Sequence, residues 1–535
     1  MTPLVAQASP PARCSDCPSP ATVDTGGTPA LHKCLFDPTA YPHPVDRVRL
    51  IETHISWVFL AGDYAYKVKK PLNLGFLDFS SLDKREHCCR EEVRLNARLA
   101  PDIYLGVVPI AGAPPRIEGE GPVLEWAVKM RAFPADATLD REPEISAGQI
   151  DAIADTLARF HAGIAPVPET YGTAEAVRAP VLENFRQLRE LLPTPDARLD
   201  ALETWSKAEG QRLAGHFATR RAEGYIRECH GDLHLGNIAW LTDALPPPAK
   251  GGLSARGASS TVDQSPPTPL LQRGETITPP SGRPLIFDGI EFNPGLRSID
   301  VISEVAFLCM DLMHRGHEAL AWRFLNRYLE HSGDYAGLAA LPYYLAYRAL
   351  VRAKVEAIRA SQSNGDFAAT RAYLELAERL TRRPPPALLL MHGVSGAGKT
   401  WHSQALLENL AAIRLRSDVE RKRLFGLDAL ADSRAQSENI YSREAGERTL
   451  ARLLNLTHTL LDAGFRVIVD ATFIKRDWRE PFQRLAEARA LPWFVIALAA
   501  PAELLRQRVR DRQAAGRDAS EADLDVLAAQ LAAVD

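Results

Sequence analysis

The sequence predicts a multidomain chain in which a two-lobed α+β unit is followed by an α/β unit built on a parallel sheet. Strand-like segments and one helix come first, and helical periodicity then dominates from about residue 146 to residue 380, as a small sheet-rich lobe and a larger helical lobe require. Near residue 387 an apolar strand runs into a glycine-rich loop and a helix, which is typical of parallel-sheet α/β folds. The 535 residues are enough for about three or four domains.

Composition argues against several classes of partner. The formal net charge of −4 creates no overall positive field that would attract nucleic acid. No apolar stretch approaches the roughly 18 residues of a membrane-spanning helix, and the N-terminus lacks the apolar segment of a secretory signal. The seven cysteines are scattered and odd in number, so we expect reduced thiols and a cytoplasmic protein without membrane contact.

Residues 1–30 are rich in Pro, Ser, Thr and Ala and show no periodicity, so we expect a disordered tail. Cys14, Cys17, His32 and Cys34 raise the alternative of a zinc site. His32 and Cys34 are closer together than zinc ligands usually are, and an inert tail is therefore the preferred interpretation.

The predicted first lobe, residues 31–134, contains a strand over 55–60, a tight turn and a second strand over 64–70. Lys67 and Lys69 fall on one face of the second strand, because side chains alternate along a strand. A helix over 82–99 follows and carries Glu91 and Glu92. A solvated surface is the alternative interpretation for each of these charges.

A polar motif at 230–237 reads His-Gly-Asp and then, after four further residues, Asn. An Asp at this spacing can orient the proton of an attacking hydroxyl, and the Asn can reach a magnesium ion. Beyond a Pro-, Gly- and Ser-rich insertion at 244–284, an apolar strand ends at Asp288. If that strand pairs with the one after Asn237, then Asp232, Asn237 and Asp288 converge on one metal.

The insertion at 244–284 cannot form a core, so we expect it to be a disordered hairpin tip without a chemical role. A protein-docking segment is the minority alternative. The cost of closing a loop rises only with the logarithm of its length, so the strands on either side can still pair.

The motif resembles that of the aminoglycoside phosphotransferase branch of the protein-kinase-like superfamily, over residues 35–380. The resemblance implies a bilobal protein-kinase-like fold, with residues 135–380 as its helical lobe. It also implies transfer of the γ-phosphoryl group of ATP to a hydroxyl group of a small molecule, with Mg²⁺ as the metal cofactor. Asp232 would be the catalytic group, and Asn237 and Asp288 the metal ligands. Which acceptor is used does not follow.

The same resemblance implies that a strand lysine binds ATP and that a helix glutamate holds the lysine in place. Lys67 with Glu91 is the preferred pair, and Lys69 and Glu92 are close alternatives. The sequence departs from the family in lacking a glycine-rich phosphate loop before residue 55.

Residues 387–535 are predicted to form a P-loop domain after a proline-rich linker at 381–386. A strand over 387–391 leads into a complete Walker A motif at 393–400. Its backbone can close around phosphate, Lys399 can reach the β- and γ-phosphates, and the Thr400 hydroxyl can bind magnesium. Asp470, at the end of a buried strand, stands in the Walker B position and is a further predicted metal ligand. The predicted ATP-binding residues of the motif are Gly393, Ser395, Gly396, Gly398, Lys399 and Thr400.

An arginine-rich helix that includes Arg508 and Arg512 suits a lid that closes on ATP phosphates, with a solvated basic face as the alternative. Asp418, followed three residues later by Arg421, resembles a pair in polynucleotide kinases and zeta-toxin-like kinases. The resemblance implies that Asp418 acts on an acceptor hydroxyl, and it permits a nucleic-acid partner for this domain only. Such folds continue past the lid with another strand and helix, whereas the given sequence ends at Asp535.

The whole chain resembles bacterial fusion proteins described as bifunctional phosphotransferase/ATP-binding. A rival interpretation is a nucleotide-sensing switch that phosphorylates no acceptor. ATP consumption with and without candidate hydroxyl compounds would distinguish the two. The sequence predicts neither the oligomeric state nor the acceptor.

Overall fold

A computed structural model describes residues 28–75, 77–134, 136–242, 281–363, 365–433, 440–515 and 518–533. The predicted tail up to residue 27, with Cys14 and Cys17, lies outside the described residues, as does the insertion between residues 243 and 280. By internal contacts the chain divides into two compact units. The first comprises residues up to 144, 230–232 and 236–297, and the second comprises 145–229, 233–235 and 298–535.

The strands, in chain order, are β1 (Val48–Glu52), β2 (Ser56–Ala61), β3 (Tyr64–Lys69), β4 (Tyr104–Ala111), β5 (Arg116–Ile117), β6 (Val123–Arg131), β7 (Ile226–Glu228), β8 (Ile238–Leu241), β9 (Arg283–Ile286), β10 (Ser298–Asp300), β11 (Leu388–His392), β12 (Ala412–Arg416), β13 (Arg466–Asp470) and β14 (Trp493–Ala497).

The α-helices are α1 (Thr28–Cys34), α2 (Leu82–Asn96), α3 (Ala147–Gly163), α4 (Ala174–Leu191), α5 (Ala197–Arg212), α6 (Ala214–Ala222), α7 (Pro294–Arg297), α8 (Val301–His314), α9 (Glu318–Ser332), α10 (Leu341–Ser363), α11 (Ala368–Thr381), α12 (Lys399–Leu410), α13 (Ser417–Leu424), α14 (Arg443–Asp462), α15 (Arg476–Glu487), α16 (Ala502–Ala515) and α17 (Leu524–Ala532).

The first unit is built on a six-stranded sheet in the order β1-β2-β3-β6-β4-β5, in which neighbouring strands are antiparallel. Helix α2 packs against β4 and β6. Its first turn is capped by Ser81, whose side chain accepts from the backbone N–H of Lys84. Cys89, Glu92 and Asn96 are buried at helical spacing on one face, so this face of α2 carries a charged residue into the interior.

The two strands that flank the insertion pair with each other. β8 and β9 are antiparallel, with Ile238 opposite Ile286 and Leu241 opposite Arg283, as predicted. Ala239 and Leu285 of this hairpin belong to the same core cluster as Cys89 of α2 and Val128 of β6. Burial of these apolar side chains fixes the hairpin against α2 and the sheet.

Helix α8 lies in the interior of the second unit, where its residues from Val301 to Met313 are all buried. Helices α9 and α10 pack on α8, and α3 packs on α9. The helical segment between residues 197 and 222 is divided into two helices, α5 and α6, with Leu213 between them at φ −84° and ψ −1°. Gly210 and Gly215 flank this break, and glycine is a poor helix former.

The C-terminal part of the second unit contains a four-stranded sheet in the order β12-β13-β11-β14. All its strand pairs are parallel. The carboxyl ends of β11, β12 and β13 therefore meet at one edge, where Met391 and Arg416 both lie opposite Asp470. Within the described ranges, no helix combines the length and the apolar character needed to cross a bilayer.

Candidate functional site

The β8–β9 hairpin brings the predicted residues Asn237 and Asp288 to the same end of the hairpin, where Asp232 contacts Asn237. The backbone N–H of Phe287 donates to the carbonyl oxygen of Asn237 at 3.0 Å, so Asp288 follows directly on the residue that pairs with Asn237. The Asn237 amide donates to the Asp232 carbonyl oxygen at 2.9 Å and to its carboxylate at 3.3 Å. These contacts hold the loop and the strand end together.

Backbone conformation at this place is unusual in two residues. Gly231 has φ +88°, and a Cβ there would come within 2.9 Å of the Leu296 carbonyl oxygen, so the loop needs glycine at this position. Asp288 adopts φ +62° although it is not glycine. Its N–H donates to the Tyr104 hydroxyl at 3.1 Å. Such left-handed residues cluster at functional sites, where the surroundings hold them in place.

The ion pair predicted between Lys67 and Glu91 is wrong. Lys67 Nζ donates to Glu92 Oε1 at 2.9 Å and also pairs with Asp288. Glu91 instead contacts Arg94 at 2.8 Å and Arg297 at 3.1 Å. Consecutive residues on a helix point about 100° apart, and it is Glu92 that lies on the buried face of α2.

Lys69 takes part in the same buried network. Its ammonium donates to Glu92 Oε2 at 2.7 Å, pairs with Glu291 and lies 4.9 Å from the centre of the Phe79 ring. The side chain has no exposed surface. Sequence reasoning missed Glu291. Because Glu291 follows the predicted metal ligand Asp288 by three residues, its position could have marked it as a candidate site residue.

Charge balance keeps Lys67 and Glu92 ionised. Burial lowers the pKa of Lys67, but the attraction of Asp288, Glu92 and Glu291 outweighs burial and raises the pKa well above its usual range. Burial would raise the pKa of Glu92, yet Lys67 and Lys69 lower it to about 2. A buried carboxylate between two ammonium groups is thus stable as an anion at neutral pH.

The residues present fit a magnesium ion. Magnesium prefers oxygen ligands, and the hydrogen bonds of the Asn237 Nδ2 leave its Oδ1 as the ligand atom. The Asp288 side chain is 46% exposed although its partner Lys67 is buried. One carboxylate oxygen of Asp288 pairs with Lys67, so its other oxygen is the one that can face a metal.

The second predicted site lies where β11 leads into α12. Gly393, Ser395, Gly396 and Gly398 form the loop between them, and Lys399 and Thr400 begin the helix. Gly396 has φ +81°, and a Cβ there would lie 2.9 Å from the Leu505 carbonyl oxygen. The loop therefore requires glycine at this position, as a phosphate-binding loop does.

Charged groups gather around Lys399. Its ammonium donates to the carbonyl oxygens of Gly393 and Val394 at 2.9 and 3.0 Å. Burial lowers the pKa of Lys399, against the attraction of Asp470 and Asp418. Asp470 is 5% exposed and accepts from Ser403 at 3.2 Å. The predicted residues Asp418 and Asp470 thus act electrostatically on Lys399, and Thr400 is the next residue in the chain.

The two predicted lid arginines differ in their contacts. Arg508 donates to the carbonyl oxygen of Gly396 at 3.2 Å, so it reaches the phosphate-binding loop. Arg512 donates to the Ala522 carbonyl oxygen at 2.6 Å. A residue that sequence reasoning missed also touches this loop: the side chain of Gln530, on α17, accepts from the Ser395 N–H at 2.7 Å.

Two family models match separate parts of the chain. The model described as the phosphotransferase enzyme family matches residues 89–246. The model described as an AAA domain matches residues 388–535. The predicted fold class, a bilobal protein-kinase-like fold followed by a P-loop parallel-sheet domain, is confirmed. The molecule is a fusion of an aminoglycoside phosphotransferase-like domain and a P-loop kinase-type domain.

Curated relatives match nearly the whole length of the chain. The uncharacterized protein Rv2004c of Mycobacterium tuberculosis is 30% identical over 509 residues, which are 93% of this chain and 93% of the relative. The uncharacterized protein Mb2027c of Mycobacterium bovis matches to the same extent. The chain belongs to the family of these mycobacterial proteins.

Solved structures with partial similarity include a choline/ethanolamine kinase family protein from Mesorhizobium loti, 14% identical, with a TM-score of 0.37 over 66% of this chain and 95% of that chain. A gluconokinase from Sinorhizobium meliloti is 20% identical, with a TM-score of 0.20 over 29% of this chain and 77% of that chain.

Proposed function

We propose that the first site transfers the γ-phosphoryl group of ATP to a hydroxyl group of a small molecule in a magnesium-dependent reaction. The observation that carries the proposal is the direct ion pair of Lys67 with both Glu92 and Asp288. This pair joins the lysine expected to bind phosphate to the carboxylate expected to bind metal. In phosphoryl transfer the protein acts mainly by positioning groups and by stabilising charge.

Each residue has a distinct task in this proposal. Lys67 binds the α- and β-phosphates, Glu92 Oε1 holds the Lys67 ammonium in place, and Lys69 holds the other carboxylate oxygen of Glu92. Complete burial of Lys69 supports such a supporting role rather than phosphate contact. Asp232 orients the acceptor hydroxyl and receives its proton. Asn237 and Asp288 would hold a magnesium ion. When bound, the ion would neutralise charge on the phosphate oxygens.

The test is ATP turnover by the full chain in the presence of a panel of hydroxyl compounds, such as sugars, amino alcohols and aminoglycosides. We expect Asp232→Asn and Asp288→Asn each to reduce acceptor-dependent turnover by about 100-fold or more. Arg90→Gln is a matched control, since Arg90 is exposed, forms an ion pair with the neighbouring Glu86 and lies 5.6 Å from the centre of the Trp126 ring, away from the Asp residues tested. Undiminished turnover in both Asp variants would refute the assignment.

For the P-loop domain we propose that Lys399 and the loop 393–400 bind ATP. Thr400 and Asp470 would bind magnesium. Arg508, which contacts Gly396, supports closure of α16 over the phosphates. Asp418 is proposed to act on an acceptor hydroxyl, as in the kinases that the Asp418 and Arg421 pair resembles.

Lys399→Ala should weaken the nucleotide binding of this domain at least tenfold, or about 1.4 kcal/mol. Equal nucleotide affinity in wild type and in Lys399→Ala would contradict the proposed ATP binding.

Nucleic acid is a second class of acceptor for this domain only. The guanidinium of Arg421 lies 4.9 Å from the centre of the exposed Tyr441 ring, and aromatic rings and arginines are common contacts of single strands. Oligonucleotide binding that falls steeply with salt would support this acceptor. Binding that does not depend on salt, or no binding, would favour a small molecule.

A nucleotide-sensing switch is the rival function for the whole chain. In that case ATP would bind both sites, and no hydroxyl compound would raise its consumption. Acceptor-dependent turnover that disappears in Asp232→Asn excludes the switch for the first site.

A further inference from the structure

Helix α9 lies along β12, the edge strand of the P-loop sheet. The side-chain amide of Asn326 donates to the Ala412 carbonyl oxygen at 2.9 Å, and its oxygen accepts from the Arg414 N–H at 2.7 Å. This amide therefore pairs with the edge strand as a neighbouring strand would. Asn326 is 2% exposed, so the contact is an interior one.

Glu330 lies one turn further along α9 and is buried as well. Its carboxylate accepts from Arg414 Nη2 at 2.7 Å and from Arg416 Nη1 at 3.5 Å. Both arginines belong to β12, so a single carboxylate from α9 neutralises two cations of the P-loop sheet. Burial would raise the pKa of Glu330, but Arg414 and Arg416 outweigh burial and lower it to about 2.

The two arginines adjoin the groups expected to bind magnesium. Arg414 Nη1 donates to the Thr400 carbonyl oxygen and to Ser403 Oγ, both at 3.3 Å. Ser403 in turn donates to Asp470 at 3.2 Å. Arg416 lies opposite Asp470 in the β12–β13 register and donates to Asp518 at 2.9 Å.

Arg416 therefore has several carboxylates within reach of its charge. Besides Glu330 they are Asp518, Asp470 and Asp418. If Glu330 were neutral, the attraction of the remaining three would draw the guanidinium toward Asp470 and Asp418. A guanidinium paired with Asp470 would occupy the oxygen atoms that a magnesium ion needs, and a cation close by would repel the ion.

We propose that Glu330 is a positioning residue of the P-loop site, which holds Arg416 and Arg414 on the α9 side and keeps Asp470 available to magnesium. This inference rests on the proposed binding of magnesium and nucleotide by the P-loop domain. Helix α9 lies outside the predicted P-loop domain, and it would thus contribute a positioning residue to the second site.

The test is the magnesium dependence of binding of a fluorescent ATP analogue to the full chain, counting only the signal that Lys399→Ala abolishes. Glu330→Gln keeps an oxygen for Arg414 but removes the charge. We expect it to raise the magnesium concentration at half-maximal binding about tenfold, the usual scale for losing a group that supports a metal ligand. Glu318→Gln, at an exposed position of the same helix, should leave this midpoint unchanged.

A second substitution identifies the intermediary. In Glu330→Gln/Arg416→Gln no guanidinium is available to compete for Asp470, and the magnesium midpoint should return to within about twofold of wild type, as expected when two residues act through one contact. A merely structural role for Glu330 would not give this rescue. Thermal melting without nucleotide shows whether each variant is folded. If Glu330→Gln is not, Glu330→Asp, which keeps the charge on a shorter side chain, should raise the midpoint about threefold.

The outcomes separate the two proposals. An unchanged magnesium midpoint in a folded Glu330 variant, or a shift that Arg416→Gln does not reverse, overturns the role of Glu330 and leaves nucleotide binding intact. Wild type without any Lys399-dependent signal refutes the proposed P-loop function itself, and the role of Glu330 with it.

Discussion

Glu92 is a carboxylate without exposed surface that accepts hydrogen bonds from two lysines, Lys67 and Lys69. The Oε1 atom of Glu92 contacts Lys67, the lysine beside Asp288, and the Oε2 atom contacts Lys69, the lysine beside Glu291. Each lysine thus has one carboxylate from α2 and one from the segment after β9. Removing the shared carboxylate leaves two buried cations with a single partner each.

Glu92→Gln should therefore lower the free energy of unfolding by about 3–5 kcal/mol, the usual result of breaking a buried ion pair by removing one partner. It should also reduce acceptor-dependent ATP turnover. Urea denaturation at neutral pH measures the first effect. Glu86→Gln on the same helix is the control, because Glu86 pairs only with exposed Arg90 among the described contacts, and it should change stability by less than about 0.5 kcal/mol.

Acid should remove the contribution of Glu92 in a defined range. Its pKa is lowered from 4.5 to about 2 in the folded protein. A lowered carboxyl pKa stabilises the fold fully above the ordinary pKa, and the stabilisation is lost as the pH falls toward the folded value. The stability difference between wild type and Glu92→Gln should thus be constant above about pH 4.5 and should shrink between pH 4.5 and 2. A difference that does not change in this range would contradict the ion-pair assignment.

Sequence reasoning predicted that Asp232, Asn237 and Asp288 converge, from motif spacing and the pairing of two strands, and it took Lys67 from the family resemblance, with Lys69 as a close alternative. It preferred Glu91 to Glu92, because both are charged and only the buried face of α2 distinguishes them. Cys89 and Asn96, which are buried at helical spacing with Glu92, carried a usable signal for that face. Asn326 and Glu330 could not be predicted, because their roles depend on how α9 packs on β12.

At the scale of elements, the β8–β9 hairpin is complete without the insertion. Trp240 Nε1 donates to the Ser281 carbonyl oxygen at 3.2 Å, and Leu241 pairs with Arg283, so the register is defined up to the point where the chain leaves the hairpin.

Replacement of residues 244–279 by a four-residue turn should preserve the fold and acceptor-dependent turnover. The shorter loop should stabilise the protein by up to about 2 kcal/mol, from the logarithmic dependence of closure entropy on length. Differential scanning calorimetry measures the change in stability, and the turnover assay measures whether activity is preserved. Loss of activity with an intact melting transition would instead favour the docking role for the insertion.

The contact between α9 and β12 makes a second prediction at this scale. Asn326→Ala leaves the Arg414 N–H and the Ala412 carbonyl oxygen without the partner they have now. Buried unpaired groups of this kind cost about 1–3 kcal/mol each, so a loss of about 3 kcal/mol is expected. Asn409→Ala, at an exposed residue that donates only within its own helix, is the matched control in chemical denaturation.

At the scale of the whole molecule, the two proposed nucleotide sites predict two separable activities. The Lys399-dependent part of nucleotide binding should persist in Asp232→Asn, and the acceptor-dependent turnover of the first site should persist in Lys399→Ala. Energetic effects of groups without shared partners usually add, so the double variant should lose both activities. Isothermal titration with a non-hydrolysable ATP analogue would report two sites in wild type and one in Lys399→Ala.

The position of β12 at the end of its sheet has one more consequence. An exposed edge strand invites pairing with a strand from another molecule, and this pairing begins many aggregates. Asn326 already occupies the N–H and carbonyl groups at which such a strand would attach. Protection of this edge is therefore encoded outside the module that it protects, and recombination that moved residues 387–535 into another gene without α9 would create an aggregation-prone protein.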